Sequence, residues 1–278
     1  MKDSIGDRMK NDYENTTRYS LPRKTYTVIR IDGKAFHTLT KKLIFKKPFD
    51  NDFIHMMDET AKYLCENIQG AIVGYVQSDE ISIILQDFKD IHTCAWFDGN
   101  IQKIASVSAS MATAKFNSLM NEYIEKEKKS CKELNDKEWV TRDVTMKTMI
   151  RLATVPFALF DSRCFTISKC FETYNYLVWR NKDCIRNSIL SVAQTKLGRK
   201  EVENKNCKIL KEILFEQGYN WNEYADEFKY GRLIRKIQKS GENSRGEKYI
   251  RNVWVIQPAF DLVENDTMKV GLLTELEI

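Results

Sequence analysis

Apolar and polar positions along the chain mark out its elements before any chemistry is considered. Tyr26-Thr27-Val28-Ile29-Arg30-Ile31 is a β-branched, apolar run, and it predicts a strand over 25–31 that stops at Asp32-Gly33. Phe53, Met57, Ala61, Leu64 and Ile68 recur at helical spacing. With Asp50 as N-cap and Gly70 as stop, they predict a helix over 50–69. Gly74 to Leu85 is two apolar runs around Ser78-Asp79-Glu80 and reads as a β-hairpin with acids at its tip. A helix with a small-residue face follows over about 98–120, capped by Asp98 or Asn100. Residues 121–148 are dense in charge and read as a solvated helix end followed by a mobile loop. Ala153 to Phe160 is a strand candidate, and Pro156 argues for an edge position.

Beyond it, a long helix over 169–197 closes at Gly198, with Phe171, Tyr174, Val178, Ile185, Ile189 and Val192 as its apolar stripe. A shorter helix near 206–215, an aromatic turn at Gly218-Tyr219-Asn220-Trp221 and a hairpin turning at 240–246 complete the chain. Residues 1–24 are polar and read as a short helix and a basic lead-in.

The order strand, helix, strand, strand, helix, strand is the split βαβ pattern. The predicted fold is therefore α+β: a ferredoxin-like βαββαβ unit over 1–168, with the long helix and an α/β extension over 169–278 packed on it. In that topology the first and third strands are neighbours and antiparallel. Asp32 ends the first and Asp79 starts the third, so both acids are expected at one edge of the sheet.

Composition narrows the chemistry. The 278 residues carry 42% hydrophobic and 30% charged side chains and a net charge of +5, which is a globular composition that permits polyanion binding. Seven cysteines without a CxxC pair and only three histidines argue against zinc and for a reducing cytoplasm. The polar N-terminus does not resemble a signal peptide, and no apolar run is long enough to span a bilayer. There is no Walker loop and no GxGxxG.

Two carboxylates forced together repel, and Mg²⁺ relieves that repulsion while binding substrate phosphates. Asp32 and Asp79, with the carbonyl of Gly33, are thus candidate ligands for two Mg²⁺ ions. Lys34, His37 and Lys47 stand where they could reach phosphate oxygens, and Ser78 could donate to the same group. The plainer reading of His37, beside Phe36, is a packed side chain. Arg180, Asp183 and Asn187 share a helix face, with Arg186 adjoining; on spacing alone this is ordinary surface charge.

Five spaced segments carry a resemblance. They are Arg30 to His37, Lys47-Pro48, Gln77 to Ser82, Phe160-Asp161-Ser162-Arg163 and Trp179 to Ser188. Together they resemble the tRNA(His) guanylyltransferase family, in particular its guanylyltransferase-like branch of bacteria, archaea and phages. The resemblance implies a polymerase-like palm and 3′-to-5′ addition of nucleotides to the 5′ end of tRNA, after activation of the 5′-monophosphate by ATP or GTP. It implies metal binding by Asp32, Gly33 and Asp79, supported by Glu80. It implies nucleotide contacts from Asp32, Gly33, Lys34, Ala35, Phe36, His37, Lys47, Ser78 and Asp79. Arg163, Arg180, Asp183, Arg186 and Asn187 would meet a second nucleotide or the tRNA end, and a homotetramer is expected. Members devoted to tRNA(His) carry His-Ile-Asn where this chain has Ile185-Arg186-Asn187. That departure favours template-dependent repair of 5′ ends over untemplated guanosine addition to tRNA(His). The rival readings are a palm-type nucleotidyl cyclase and a non-catalytic RNA-binding module. The second would want aromatic residues on an open sheet face, which the first and third strands do not offer.

Overall fold

The structure, a computed structural model, describes residues 4–135, 142–242 and 245–277. In chain order its elements are α1 (Ile5–Asp12), β1 (Tyr26–Gly33), α2 (Phe36–Lys42), α3 (Asn51–Asn67), β2 (Ala71–Gln77), β3 (Glu80–Gln86), α4 (Ile101–Asn135), α5 (Arg142–Ala153), β4 (Phe160–Ile167), α6 (Cys170–Lys196), α7 (Arg199–Val202), α8 (Cys207–Glu216), α9 (Asp226–Lys229), β5 (Arg232–Glu242), β6 (Lys248–Pro258) and α10 (Asp266–Glu277).

The strands form one antiparallel sheet in the order β4-β1-β3-β2-β5-β6. Its first four strands have the expected ferredoxin-like order. β5 and β6, the hairpin expected in the C-terminal extension, join the same sheet beyond β2. Alternation along the strands divides the core. Ile29, Ile31, Ile81 and Ile83 face α3 and α4, while Tyr26, Val28 and Ile84 face α6 and α10. Burying each such Ile or Val contributes roughly 1.5–3 kcal/mol, so a one-residue slip of β1 or β3 would exchange two cores and is strongly disfavoured. Both faces of β1 and β3 are covered, which leaves no open platform for RNA there.

Local signals act as anticipated in α3: Asp50 accepts from the backbone of Asp52 and Phe53, at 3.0 and 3.1 Å. Four expectations need correction. The strand predicted over 153–160 lies later, at Phe160–Ile167. Leu152 is drawn into the core at the end of α5, and Pro156 has no N–H for a ladder. Asn117 of α4 then bonds both the N–H and the carbonyl of Ala158, at 2.9 Å each, so that backbone is satisfied without a sheet partner. β4 is an edge strand, but Pro156, on which the expectation of an edge rested, lies outside it.

The helix predicted over 98–120 instead runs from Ile101 to Asn135, because Met120 and Ile124 keep burying its core stripe. Residues expected to form a mobile loop are partly helical, in α4 and α5, while Asp136, Lys137 and Glu138 lie outside the described residues. Phe171, placed on the apolar stripe of α6, is exposed; Tyr174, Ile189 and Val192 carry the burial.

Candidate active site

The acids meet through backbone pairing. The β2–β3 hairpin turns through Ser78, which adopts φ +46° to make the reversal. β1 lies beside β3 with Asp32 opposite Glu80. The N–H of Gly33 donates to the carbonyl of Asp79 at 3.0 Å, which ties the end of β1 to the turn. A Cβ at Gly33 would stand 2.4 Å from the ring of Phe36, so only glycine allows this approach.

Asp79 accepts a hydrogen bond from the Ser78 hydroxyl at 2.8 Å. Burial pushes the Asp79 carboxyl above the usual range, and the nearby charges of Asp32 and Glu80 add to the effect, against the opposing bond from Ser78. Among the described residues neither Asp32 nor Asp79 has an ion-pair partner. No set of three or more His, Cys, Asp or Glu side chains there is arranged to hold a metal. The donor set at this rim is two carboxylates with a nearby glycine carbonyl. All are hard oxygens, and Mg²⁺ is suited to such a set because it keeps several waters and takes phosphate oxygens for the rest.

Glu80 is committed elsewhere. Arg180 donates to it through Nε and Nη2, both at 2.7 Å, and the arginine side chain is only 7% exposed. Burial raises the Glu80 carboxyl pKa, and Arg180 opposes that rise. Two residues along β3, the Ser82 hydroxyl pairs with the Tyr176 hydroxyl at 2.7 Å. Residues i and i+4 of a helix are about 6 Å apart along its axis, close to the spacing of i and i+2 in a strand. Tyr176 and Arg180 therefore clamp Ser82 and Glu80 with α6 antiparallel to β3. Asn181, fully buried, fixes the same turn of α6: its Nδ2 donates to the carbonyls of Tyr230 and Phe260, and its Oδ1 accepts from the N–H of Leu262. The Arg180 face is thus not ordinary surface charge. Asp183 gathers Arg180, Arg186 and Asn187 at 3.0, 2.6 and 3.3 Å. Trp179, exposed, lies under the guanidinium of Arg180 at 4.5 Å and beside that of Arg30 at 5.8 Å.

A cleft of about 490 Å³ opens beside the turn. Lys47, Ser78 and Asn187 line it, as do Phe45, Phe49 and Phe228, of which the last two stack at 4.7 Å. Lys34 and His37 are exposed but do not line this cleft; the packed reading of His37 is overturned, and it is Phe36 that enters the core. With its ring there, Phe36 offers a ligand only its backbone. Ala35, at φ +56°, precedes α2. Arg163 sits on β4, bonded to Asp161 at 3.1 Å, and among the described residues no hydrogen bond or ion pair joins it to the α6 cluster. Gln77, Ser188, Ser191 and Arg232 also line the cleft, and none of them is among the site residues expected from the sequence, although Gln77 and Ser188 stand in the segments that carry the resemblance. Gln77 is two residues from Asp79 in the hairpin, but nothing in its spacing distinguishes a cleft residue from a strand residue.

A family model for tRNAHis guanylyltransferase matches residues 6–168. The chain belongs to that family. It is a nucleotidyltransferase. A bacterial tRNA(His) guanylyltransferase-like protein solved in complex with ATP is 36% identical, with 99% of this chain and all of the other covered at a TM-score of 0.75. The same description in complex with GTP gives 36% identity and a TM-score of 0.74 over 99% of this chain and all of the other. The tRNA(His) guanylyltransferase of Eremothecium gossypii is 28% identical over 82% of this chain and 91% of its own length. Among the described residues no helix is long and apolar enough to cross a membrane.

Proposed function

We propose that this nucleotidyltransferase adds nucleotides to the 5′ end of tRNA in the 3′-to-5′ direction, after activation of the tRNA 5′-monophosphate with ATP or GTP. The observation that carries the reading is the meeting of Asp32 and Asp79 at one sheet rim, without a cationic partner, beside a cleft lined by aromatic rings and Lys47. The two relatives solved with ATP and GTP support a triphosphate as the cleft's occupant.

Asp32, Asp79 and the Gly33 carbonyl would hold two Mg²⁺ ions. When bound, Mg²⁺ neutralises phosphate charge and makes a hydroxyl a better nucleophile. Lys47 places a compact positive charge at the cleft wall, where the triphosphate of an incoming nucleotide would lie. Ser78 donates to Asp79 and holds that carboxylate in place. Lys34 and His37 are exposed at the same end of β1 and would meet phosphates from outside the cleft. Glu80 positions rather than ligates, because both its oxygens are bound by Arg180. The Asp183 cluster with Arg186 and Asn187 would receive the tRNA end or a second nucleotide, and Arg163 would extend that surface at the sheet edge. No side chain is needed as a covalent nucleophile.

Ile185-Arg186-Asn187 in place of His-Ile-Asn favours templated repair of truncated tRNA over guanosine addition to tRNA(His). Residues 1–168 act as the palm and 169–278 as an extension packed on it. The enzyme assembles as a homo-oligomer, a tetramer by family resemblance, and its seven free thiols suit a reducing cytoplasm.

The test is a 5′-end assay with tRNA lacking its first nucleotide, ATP, GTP and Mg²⁺, while the base opposite the gap is varied. Addition that follows the opposing base is the expected result. A cyclic nucleotide formed without RNA would instead reveal a cyclase.

A further inference from the structure

The sheet offers no aromatic platform, but α6 does. Trp179 is 53% exposed, yet two neighbours hold its ring. Tyr176 meets it edge-on with the ring centres 5.9 Å apart, and the Arg180 guanidinium lies over it at 4.5 Å. Both neighbours are themselves clamped to β3, Tyr176 through Ser82 and Arg180 through Glu80. A single exposed aromatic is ordinary on a protein surface. One that is fixed in orientation and still uncovered is pre-organised for a ligand, because little freedom is lost when something packs on it. Phe157 and Phe215 are more exposed, and among the described residues no cation lies over either ring.

The surroundings restrict that ligand. Arg30 places its guanidinium 5.8 Å from the same indole. It pairs in register with Arg163 across β1 and β4, so both side chains leave the sheet on one face. Arg163 and Arg186 are exposed, and Asp183 links Arg186 to Arg180. Among the described residues Arg30 has no ion-pair partner. This surface reaches the acid rim: Asp32 is two residues beyond Arg30 on the same face of β1, opposite Glu80, which Arg180 binds. A fixed indole among arginines suits a nucleobase flanked by phosphates, since the ring stacks on the base and the guanidinium groups take the phosphate charge. An acidic peptide would use the arginines and leave the indole idle. Stacking reads no base identity, because every base has a π-face, and it is therefore compatible with addition that follows the opposing base.

We infer that Trp179 is the platform on which the open base at the tRNA end stacks, so that the end is held against the acid rim. This rests on the reading of the protein as an enzyme of tRNA 5′ ends. The test uses the full chain with Mg²⁺ and a tRNA lacking its first nucleotide, with 2-aminopurine, which loses fluorescence when stacked, as the base opposite the gap. Wild-type protein at saturation should quench it, and a 2-aminopurine placed inside the stem should not respond. Trp179→Leu should abolish the quenching and raise KM for the tRNA on the order of tenfold, with KM for the nucleotide near the wild-type value. Trp179→Phe, which keeps a π-face, should retain most of both properties. Circular dichroism checks that each variant is folded, and the Phe variant carries the test if the Leu variant is not. Equal quenching and equal KM for tRNA in folded Trp179→Leu would overturn the inference while leaving the enzyme reading in place, and so would a rise confined to KM for the nucleotide. Quenching by a wild type that adds no nucleotide would keep the platform and remove the polymerase reading. A wild type that does not bind the tRNA at all would remove both.

Discussion

Two buried arginine–carboxylate pairs stand beside the cleft, and they are built differently. Arg180–Glu80 and Arg232–Asp58 both close at 2.7 Å, each with the arginine less than one-tenth exposed. The first pair is one link in a chain. Both Glu80 oxygens are bound, and Arg180 continues to Asp183, Arg186 and Asn187, which lead out to solvent. The second is an isolated pair between α3 and β5 with one arginine nitrogen left over. The same two residue types thus sit in different settings: a saturated network fixes where a strand and helix sit, whereas the second pair joins a helix to the added strand and leaves one buried arginine nitrogen without a partner. Asp32 and Asp79 are a third condition, acids with no cation at all, and that is where a metal is expected.

The sharpest way to break this division is to remove the unpaired acids. Asp32→Ala or Asp79→Ala should lower nucleotide addition by on the order of 10³-fold or more. The melting temperature should stay close to wild type, because neither acid holds an ion pair. Normal addition by either variant would end the metal assignment.

Next in size is the isolated pair. Arg232→Met should reduce stability by about 3–5 kcal/mol in urea unfolding, because Asp58 is left charged and buried; Asp58→Leu/Arg232→Met should recover most of it. A single variant as stable as the double would mean that the pair is not sealed from water.

Glu80→Gln tests the saturated network. It keeps the shape and removes the charge that Arg180 binds, so kcat should fall by roughly 10–100-fold, the usual cost of disturbing a group behind a metal site. KM for the nucleotide should move much less. A change confined to KM would instead make Glu80 a direct nucleotide contact.

The smallest effect is in pH. Burial holds Asp58 above the ordinary aspartate range despite Arg232. A carboxyl raised on folding favours the native state most below the unfolded pKa, near 4. That contribution declines as pH rises from there through the folded value and is constant above it. Asp58→Asn should flatten this part of the stability–pH curve, and an unchanged curve would show that Asp58 does not titrate there.

Much of this arrangement could be read along the chain. The acid rim was legible because it needs only local signals: apolar runs that define two strands, a hairpin around Ser78-Asp79, and the ordering rule for a split βαβ unit. Asp50 and Gly70 marked α3 for the same reason, since a cap acts on its own turn. β4 was misplaced because a side chain 41 residues away, Asn117, satisfies the backbone that the strand was expected to pair. The clamp of Tyr176 and Arg180 on β3 was legible only in part. Arg180 stood out on a helix face with Asp183 and Asn187, but neither Tyr176 nor the choice of Glu80 as partner did.

Sequence-local forces, namely backbone propensity, capping and the period of apolar positions, were enough to specify the elements, their order and the shared rim of Asp32 and Asp79. They act over a few residues, so they leave a record in neighbouring positions. The joining of β5 to β2, the docking of α10 and the pairing of Arg232 with Asp58 across 174 residues depended on which surfaces remained to be covered once the first sheet had formed. Long-range burial and charge compensation are satisfied in space and not along the chain, and the shape of the cleft follows from them.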